Sequence, residues 1–272
     1  MDGILLTVAI LASLGLIAGV LLSVISIIMA VKKDETAEKI EEILPGANCG
    51  SCGFSGCSGY AAALAKGETK ETNLCSPGGA KAAEEIGKIL GVSGGQFVRK
   101  SAVVRCRGSW DKTSMIMEYK GIETCYASNQ LFKGLGACSY GCIGFGDCKA
   151  VCEYDAISVE NGVAKINVKN CVACGKCVKA CPKGLIELVP SAEEDRTVLC
   201  VNHDKGALTR KICDAGCIGC GLCMKACDAG AIKVENFLAR IDYDKCIGCG
   251  KCQTACKRGC IAEFTLPFCA AE

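Results

Sequence analysis

AISVENGVAKINVKNCVACGKCVKAC (156–181) returns as AIKVENFLARIDYDKCIGCGKCQTAC (231–256). Cys148, Cys152, Cys171, Cys174, Cys177 and Cys181 each recur 75 positions later, as Cys223, Cys227, Cys246, Cys249, Cys252 and Cys256. Cys138 and Cys142 recur as Cys213 and Cys217. Eight cysteines in register, with similar text between them, mark a duplicated structural unit. In each copy two cysteine runs flank an alternating stretch. Residues 156–160 and 163–168 alternate apolar with polar around Asn161-Gly162, which predicts a hairpin. Residues 231–235 and 238–242 predict its counterpart, and short helices are expected after each run.

The chain has 26 cysteines in 272 residues. Such a share points to a disulfide scaffold, structural zinc, or iron–sulfur clusters. Disulfide scaffolds are usually short secreted chains, and this one is long. A net charge of +2 and 5% aromatic residues lack the basic surplus and stacking rings of a nucleic-acid binder. The single histidine, His203, excludes Cys2His2 zinc sites and His-rich catalytic sites.

Ile4 to Val31 carries no charge, and about 20 apolar residues suffice for a spanning helix. A buried core helix would rarely be apolar on all faces for so long. A cleaved signal peptide needs a basic start, whereas this chain starts Met1-Asp2. Lys32 and Lys33 follow the run, so the positive-inside rule puts everything beyond them in the cytoplasm. The expectation is a single-pass anchor in the cell membrane with the cysteine-rich part on the cytoplasmic side. That reducing compartment further disfavours disulfides.

Residues 32–42 read as an amphipathic helix. LPGANCGSCGFSGC (44–57) follows, and Cys49, Cys52, Cys57 and Cys75 are spaced C-x2-C-x4-C-x17-C. A cubane cluster needs thiolates converging from a tightly wound loop, and the interspersed glycines permit one. Four thiolates would also satisfy zinc. Three cysteines so close together favour a cluster over the two-plus-two spacing of zinc ribbons. A helix is expected over 59–66.

The duplicated unit closely resembles the bacterial two-cluster ferredoxin. There C-x2-C-x2-C-x3-C gives three ligands to one cluster and its last cysteine to the other. The resemblance implies that Cys217, Cys220, Cys223 and Cys256 hold one cluster, and Cys246, Cys249, Cys252 and Cys227 its neighbour. In the first unit it implies Cys171, Cys174, Cys177 with Cys152, and Cys138, Cys142, Cys148 with Cys181. The first run of that unit departs from the pattern, reading C-x3-C-x5-C-x3-C. Proline follows only Cys181; Glu153, Asp228 and Lys257 stand in the other three places.

These sets use twenty cysteines in five clusters. Cys106, Cys125, Cys200 and Cys213 could converge on a sixth, or could equally be buried small hydrophobes. Cys213 also reads as the repeat's echo of Cys138. Cys260 and Cys269 are expected to be unligated.

With LPGANCGSCGFSGC (44–57) and CSYGCIGFGDC (138–148), the chain resembles the B subunit of the Rnf electron transport complex, a membrane ferredoxin:NAD+ oxidoreductase that moves sodium ions or protons. The second ferredoxin unit is like that of the longer family members. The resemblance implies an entry subunit that takes electrons from soluble reduced ferredoxin and passes them to the other Rnf subunits, with flavin and nicotinamide chemistry on those partners. No independent catalytic site and no nucleic-acid partner are expected. Gly134-Leu135-Gly136 leads into a cysteine loop and fails the context of a dinucleotide fingerprint. Potentials of roughly −400 mV are expected. The competing readings are a polyferredoxin subunit of another membrane enzyme and a zinc-bound interaction protein. RKSAVVRCR (99–107) and TRK (209–211) could dock an acidic ferredoxin or be a solvated face.

The expected fold is α+β: an amino-terminal transmembrane helix, a small helical [4Fe–4S] domain, and two tandem bacterial-type ferredoxin units. The segments are an anchor (1–31), a leading cluster domain (32–95), a connection (96–135), a first ferredoxin-like unit (136–190), a connection (191–212) and a second unit (213–272).

Overall fold

The leading apolar run forms one helix, α1 (Asp2–Ile28), in a computed structural model that describes residues 2–28, 34–190 and 196–263. Leu11, Leu14, Leu16, Ile17 and Leu22 of α1 are exposed. Among the described residues no helix is long and apolar enough to cross a membrane. Lys32 and Lys33, on which the expected orientation rests, lie outside the described residues, as does Cys269.

A small helical domain follows. The expected amphipathic helix is α2 (Glu35–Ile43), capped by the Asp34 side chain, which accepts from the Thr36 amide. α3 (Cys57–Ala65) starts on a cysteine itself, two residues before the expected start, and α4 (Gly79–Leu90) closes the domain. Ile40, Leu44, Tyr60, Leu64 and Ile86 form its core, with Cys75 among them. The Tyr60 hydroxyl donates to the Glu71 carbonyl at 2.6 Å. That bond lets the phenol sit in an apolar core without an unpaired donor.

The next segment contributes β1 (Lys100–Val104) and α5 (Cys125–Phe132). The first ferredoxin-like unit then runs α6 (Asp147–Ala150), β2 (Ile157–Glu160), β3 (Val163–Ile166), α7 (Lys176–Ala180) and β4 (Ile186–Pro190). The second runs β5 (Arg196–Val198), α8 (Gly206–Ile212), α9 (Leu222–Lys225), β6 (Ile232–Glu235), β7 (Leu238–Ile241), α10 (Lys251–Ala255) and β8 (Ile261–Glu263). Both expected hairpins form, β2 with β3 and β6 with β7, each antiparallel. Asn161 and Gly162 have φ of 47° and 78°, as a tight two-residue hairpin turn requires. The second hairpin turns on Asn236 and Phe237, at 49° and 62°. Phe237 there occupies a region that bulky side chains rarely enter.

Both units take in a strand from the segment ahead of them. β1 pairs antiparallel with β4, Val104 opposite Ile186, and β5 pairs with β8, Val198 opposite Ile261. The segments 96–135 and 191–212, expected to be connections, therefore each supply the outer strand of a ferredoxin-like unit. Ile186 and Ile261 are repeat equivalents, so Val104 and Val198 hold matching places. The unit cores form around these strands, with Val104, Ile157 and Ile186 in one and Val198, Leu238 and Ile261 in the other. Cys148 and Cys177 are buried in the first core, Cys217, Cys223 and Cys252 in the second.

Candidate iron–sulfur centres

Most of the expected cysteine quartets are brought together. Cys152, Cys171, Cys174 and Cys177 line one cavity. Cys217, Cys220, Cys223 and Cys256 line another. Cys49, Cys52 and Cys57 lie close enough to Cys75 for their charges to raise its thiol, after the larger effect of burial. Cys246 and Cys227 act on Cys252 in the same way.

The loop of the leading domain is held by Asn48, whose side-chain oxygen accepts from the Cys57 amide at 2.8 Å. It abuts the first ferredoxin-like unit, where Ser51 Oγ donates to the Ala173 carbonyl at 3.2 Å. Among the neighbouring charges that raise the Cys174 thiol, Cys49 comes directly after burial and ahead of Cys171 and Cys152. The leading quartet and the quartet containing Cys174 are thus neighbours.

Around the first run of unit one the structure departs from the expected set. Cys142, Cys148 and Cys181 share a cavity with Cys125, and Cys138 is not on its lining. Cys125 opens α5, where the Asp147 carboxylate accepts from the Cys125 amide at 2.8 Å and the Tyr126 amide at 3.0 Å. Asp147 directly precedes Cys148, so one side chain fixes the two cysteines relative to each other. Cys138 instead lines a cavity with Cys106, Cys142, Cys200 and Cys213, between the two units.

Backbone amides point at many of these sulfurs. Leu185, Ala231 and Cys260 donate to Cys181, Cys227 and Cys256 at 3.4, 3.3 and 3.4 Å, and Ala102 donates to Cys171 at 3.4 Å. Burial pushes the thiols of Cys148 and Cys177 up to about 12 and that of Cys223 to about 11. Cys217 and Cys256 move the other way, to about 6 and about 5, chiefly through the Cys260 thiol beside them. Buried thiols that are costly to ionise alone, with donors already aimed at their sulfurs, suit a polycationic iron core that takes the thiolate form. Among the described residues no three His, Cys, Asp or Glu side chains are set to hold a single metal ion. Zinc would require sulfurs about 3.8 Å apart, from Zn–S bonds of about 2.3 Å in a tetrahedron. Thiols set around a cavity fit the larger cubane core.

The basic stretch is only partly covered: Arg99 and Lys100 are exposed, Arg105 and Arg107 half-buried. Arg105 donates to Glu187 at 2.8 Å and to the Val198 and Cys200 carbonyls at 3.2 and 3.5 Å. Arg107 donates to the Gly259 carbonyl at 2.6 Å, and Arg99 to the Val168 carbonyl at 3.1 Å. The sequence left this stretch as either a docking face or a solvated face; its arginines also tie backbone segments together.

Comparison with known proteins agrees with this chemistry. The family model FeS, an Fe-S cluster, matches residues 44–77. A 4Fe-4S dicluster domain matches twice, over 140–185 and 216–260. The chain is 42% identical over 246 residues to the B subunit of the Na(+)-translocating ferredoxin:NAD(+) oxidoreductase complex of Acetobacterium woodii, covering 90% of this chain and 73% of the relative. It is 39% identical to the B subunit of the proton-translocating ferredoxin:NAD(+) oxidoreductase complex of Clostridium ljungdahlii, covering 89% of this chain and 85% of that one. It is 37% identical to the B subunit of the ion-translocating oxidoreductase complex of Methanosarcina acetivorans, covering 88% and 90%. With its amino-terminal cluster domain and two 4Fe-4S dicluster domains, this chain belongs to the B-subunit family of ion-translocating ferredoxin:NAD(+) oxidoreductase complexes, the Rnf family its cysteine motifs resemble.

Proposed function

We propose that this chain is the multi-cluster electron-transfer subunit of an ion-translocating ferredoxin:NAD+ oxidoreductase complex, accepting electrons from reduced ferredoxin and passing them to membrane partner subunits. The observation that carries this reading is the set of cysteine quartets gathered around cavities, with amides aimed at their sulfurs. Four ligand sets are Cys49, Cys52, Cys57, Cys75; Cys152, Cys171, Cys174, Cys177; Cys217, Cys220, Cys223, Cys256; and Cys227, Cys246, Cys249, Cys252. A fifth centres on Cys142, Cys148 and Cys181. When bound, a [4Fe–4S] cluster takes up and releases one electron with little change in its cage. The chain's own residues set the spacing of the sites, keep water from the buried thiols and stabilise charge through amide donors.

Entry at the second unit is supported by Cys220 and Cys249, which are exposed while most of the other cysteines are covered. Exit at the leading domain is supported by its place next to α1 in the chain and by the contact of its loop with unit one. The uncharged run Ile4–Val31 is long enough for a single-pass anchor, with Lys32 and Lys33 keeping the cluster-bearing part cytoplasmic.

Two measurements test this. The anaerobically purified full chain should carry at least about 20 irons with matching acid-labile sulfide, at four per cluster. It should also be reduced by soluble reduced ferredoxin. A chain with bound zinc and no sulfide would overturn the proposal. Deleting residues 2–28 should release the cluster-bearing part from the membrane fraction of cells lacking the partner subunits; its retention there would remove the anchor.

A further inference from the structure

The four cysteines around the cavity between the units fall into two pairs related by the internal duplication. Cys138 and Cys213 are repeat equivalents, each four residues ahead of the first run's Cys142 or Cys217. Cys106 and Cys200 are equivalent by structure, each two residues beyond the strand residue, Val104 or Val198, that pairs with Ile186 or Ile261. Their hydrogen bonds repeat as well. The Cys106 sulfur accepts from the Gly108 amide and from the Cys142 amide, both at 3.4 Å. The Cys200 sulfur accepts from the Asn202 amide at 3.5 Å and the Cys217 amide at 3.3 Å. Each unit thus presents the same pair of thiols, the one past the outer strand bonded in the same way in both, and the two pairs face one cavity.

Three further observations bind the group together. Asn202 Nδ2 reaches the Cys138 sulfur at 3.5 Å. The sulfurs of Cys106 and Cys213 both lie within 4 Å of the point where a Cβ on Gly108 would stand, so that backbone passes bare between them. After burial, the charge of Cys138 helps to raise the thiols of Cys106, Cys200 and Cys213 alike. A cysteine buried merely as a small hydrophobe has no need of two amides on its sulfur, since its S–H is a weak donor and its sulfur a weak acceptor.

The repeat also accounts for Cys125. Position 145 is phenylalanine where the second unit has Cys220, so Cys142, Cys148 and Cys181 lack one ligand of the set held by Cys217, Cys220, Cys223 and Cys256. Cys125 stands on their cavity, fixed by Asp147, with the amides of Phe145 and Gly146 directed at its sulfur.

We propose that Cys106, Cys138, Cys200 and Cys213 hold a sixth [4Fe–4S] cluster at the junction of the two ferredoxin-like units, and that Cys125 replaces Cys138 beside Cys142, Cys148 and Cys181. Each thiol gives up its proton as its sulfur bonds an iron, with iron and sulfide coming from the cell's cluster-assembly donors. Amides of Cys142 and Cys217, which belong to the flanking sets, donate into this site from either side. The junction then joins two two-cluster relays into one continuous path. The proposal rests on the iron–sulfur reading above.

The test uses the full chain, purified anaerobically, with iron, sulfide and EPR of the reduced protein as readouts. The unaltered chain is expected to hold about 24 irons, four for each of six clusters. The pair variant Cys200→Ala/Cys213→Ala should lose roughly four irons and one EPR component. Cys106→Ala and Cys138→Ala should remove that same component, and Cys125→Ala a different one that it shares with Cys148→Ala. Should a variant fail to accumulate, the unaltered chain alone decides between about 24 and about 20 irons. A count near 20, or a pair variant that keeps every iron, overturns the sixth site and leaves the five-cluster carrier standing. A count near zero overturns the carrier itself.

Discussion

Arg105→Ala separates the junction role of the basic stretch from a docking role. The guanidinium is well covered, with its side chain 11% exposed, and it fastens the end of β1 to the end of β5. Its bond to Glu187 is half in solvent, the carboxylate side chain being 51% exposed, and counts for at most about 1 kcal/mol. The bond to the buried Val198 carbonyl, at 3.2 Å, is a charged hydrogen bond worth about 2 kcal/mol. The one to Cys200, at 3.5 Å, is long and adds ~0.5 kcal/mol. Truncation should therefore weaken the junction by about 3 kcal/mol, part of it the cost of leaving two carbonyls unpaired. At about 1.4 kcal/mol per decade, local opening should rise roughly 100-fold.

Hydrogen exchange reads this at two amides. Leu199 donates to the Cys260 carbonyl at 2.7 Å, and Arg105 itself to the Leu185 carbonyl at 2.8 Å. Both bonds stay intact in the closed junction, so faster exchange reports its opening. Arg105→Lys keeps the charge but not the planar fork, and should fall between the two. The EPR component assigned to Cys106 and Cys200 should weaken in Arg105→Ala while the leading-domain cluster keeps its signal. A docking arginine predicts the opposite pattern, with slower, salt-dependent electron uptake and unchanged exchange. Leu199 exchange within about threefold of the unaltered chain would refute the reasoning.

Asp147→Ala removes the acceptor shared by the Cys125 and Tyr126 amides. A loss of about 1–2 kcal/mol at the start of α5 should appear as depletion of the cluster component that Cys148→Ala also removes, with the other components kept. Gly162→Ala places a Cβ on top of Trp110 Nε1 at a φ of +78°. It should cost about 1–3 kcal/mol, seen as an earlier denaturation midpoint in Trp110 fluorescence. The Cys260 thiol sits 3.0 Å from the Ala215 carbonyl, with the sulfurs of Cys217 and Cys256 as competing acceptors beside it. One S–H cannot serve all three, and charged sulfurs compete better than a neutral carbonyl. Cys260→Leu should therefore keep all iron and lower the potential of that cluster by ~40 mV, the equivalent of about 1 kcal/mol for one electron. An unchanged redox titration would show that Cys260 only fills space.

The short helices, expected after each cysteine run, lie within the runs instead, α7 ending before Cys181 and α10 before Cys256. The hairpins, and the grouping of Cys152 with Cys171, Cys174 and Cys177 and of Cys256 with Cys217, Cys220 and Cys223, were legible in the sequence, because they are local or repeat at a fixed interval. The outer strands β1 and β5 were not. Each is short and pairs with a strand far along the chain, β1 with β4 and β5 with β8, and no hairpin turn marks such a pairing. Cys125 was hidden for the same reason, since its partners lie across a loop and are fixed by the Asp147 carboxylate rather than by spacing. A signal did exist. Aligning the repeat strictly puts Phe145 opposite Cys220, so the run of unit one has no cysteine at that place. Counting four cysteines from Cys138 onward instead filled the gap with a residue whose repeat partner, Cys213, lies outside the second unit's quartet. For the arginines of RKSAVVRCR (99–107), charge pattern alone does not reveal which carbonyls a guanidinium will meet.

A duplicated unit explains how a junction site could arise without new sequence. If each copy already carries one cysteine past its outer strand and another four residues before its first run, each copy owns half of a four-thiol site. Two copies brought face to face complete it, much as a symmetric dimer completes a site from one patch used twice. The matching amide bonds to Cys106 and Cys200 are the trace of that symmetry. The contacts between copies are not symmetric, however. Asp214 donates its amide to the Lys112 carbonyl at 2.8 Å, and Thr113 its hydroxyl to the Ile212 carbonyl at 2.8 Å. Arg107 adds a bond to the Gly259 carbonyl at 2.6 Å. These bonds hold the two halves in one fixed relation, which a site built from both copies requires and which two independent ferredoxin units on a flexible linker would not need.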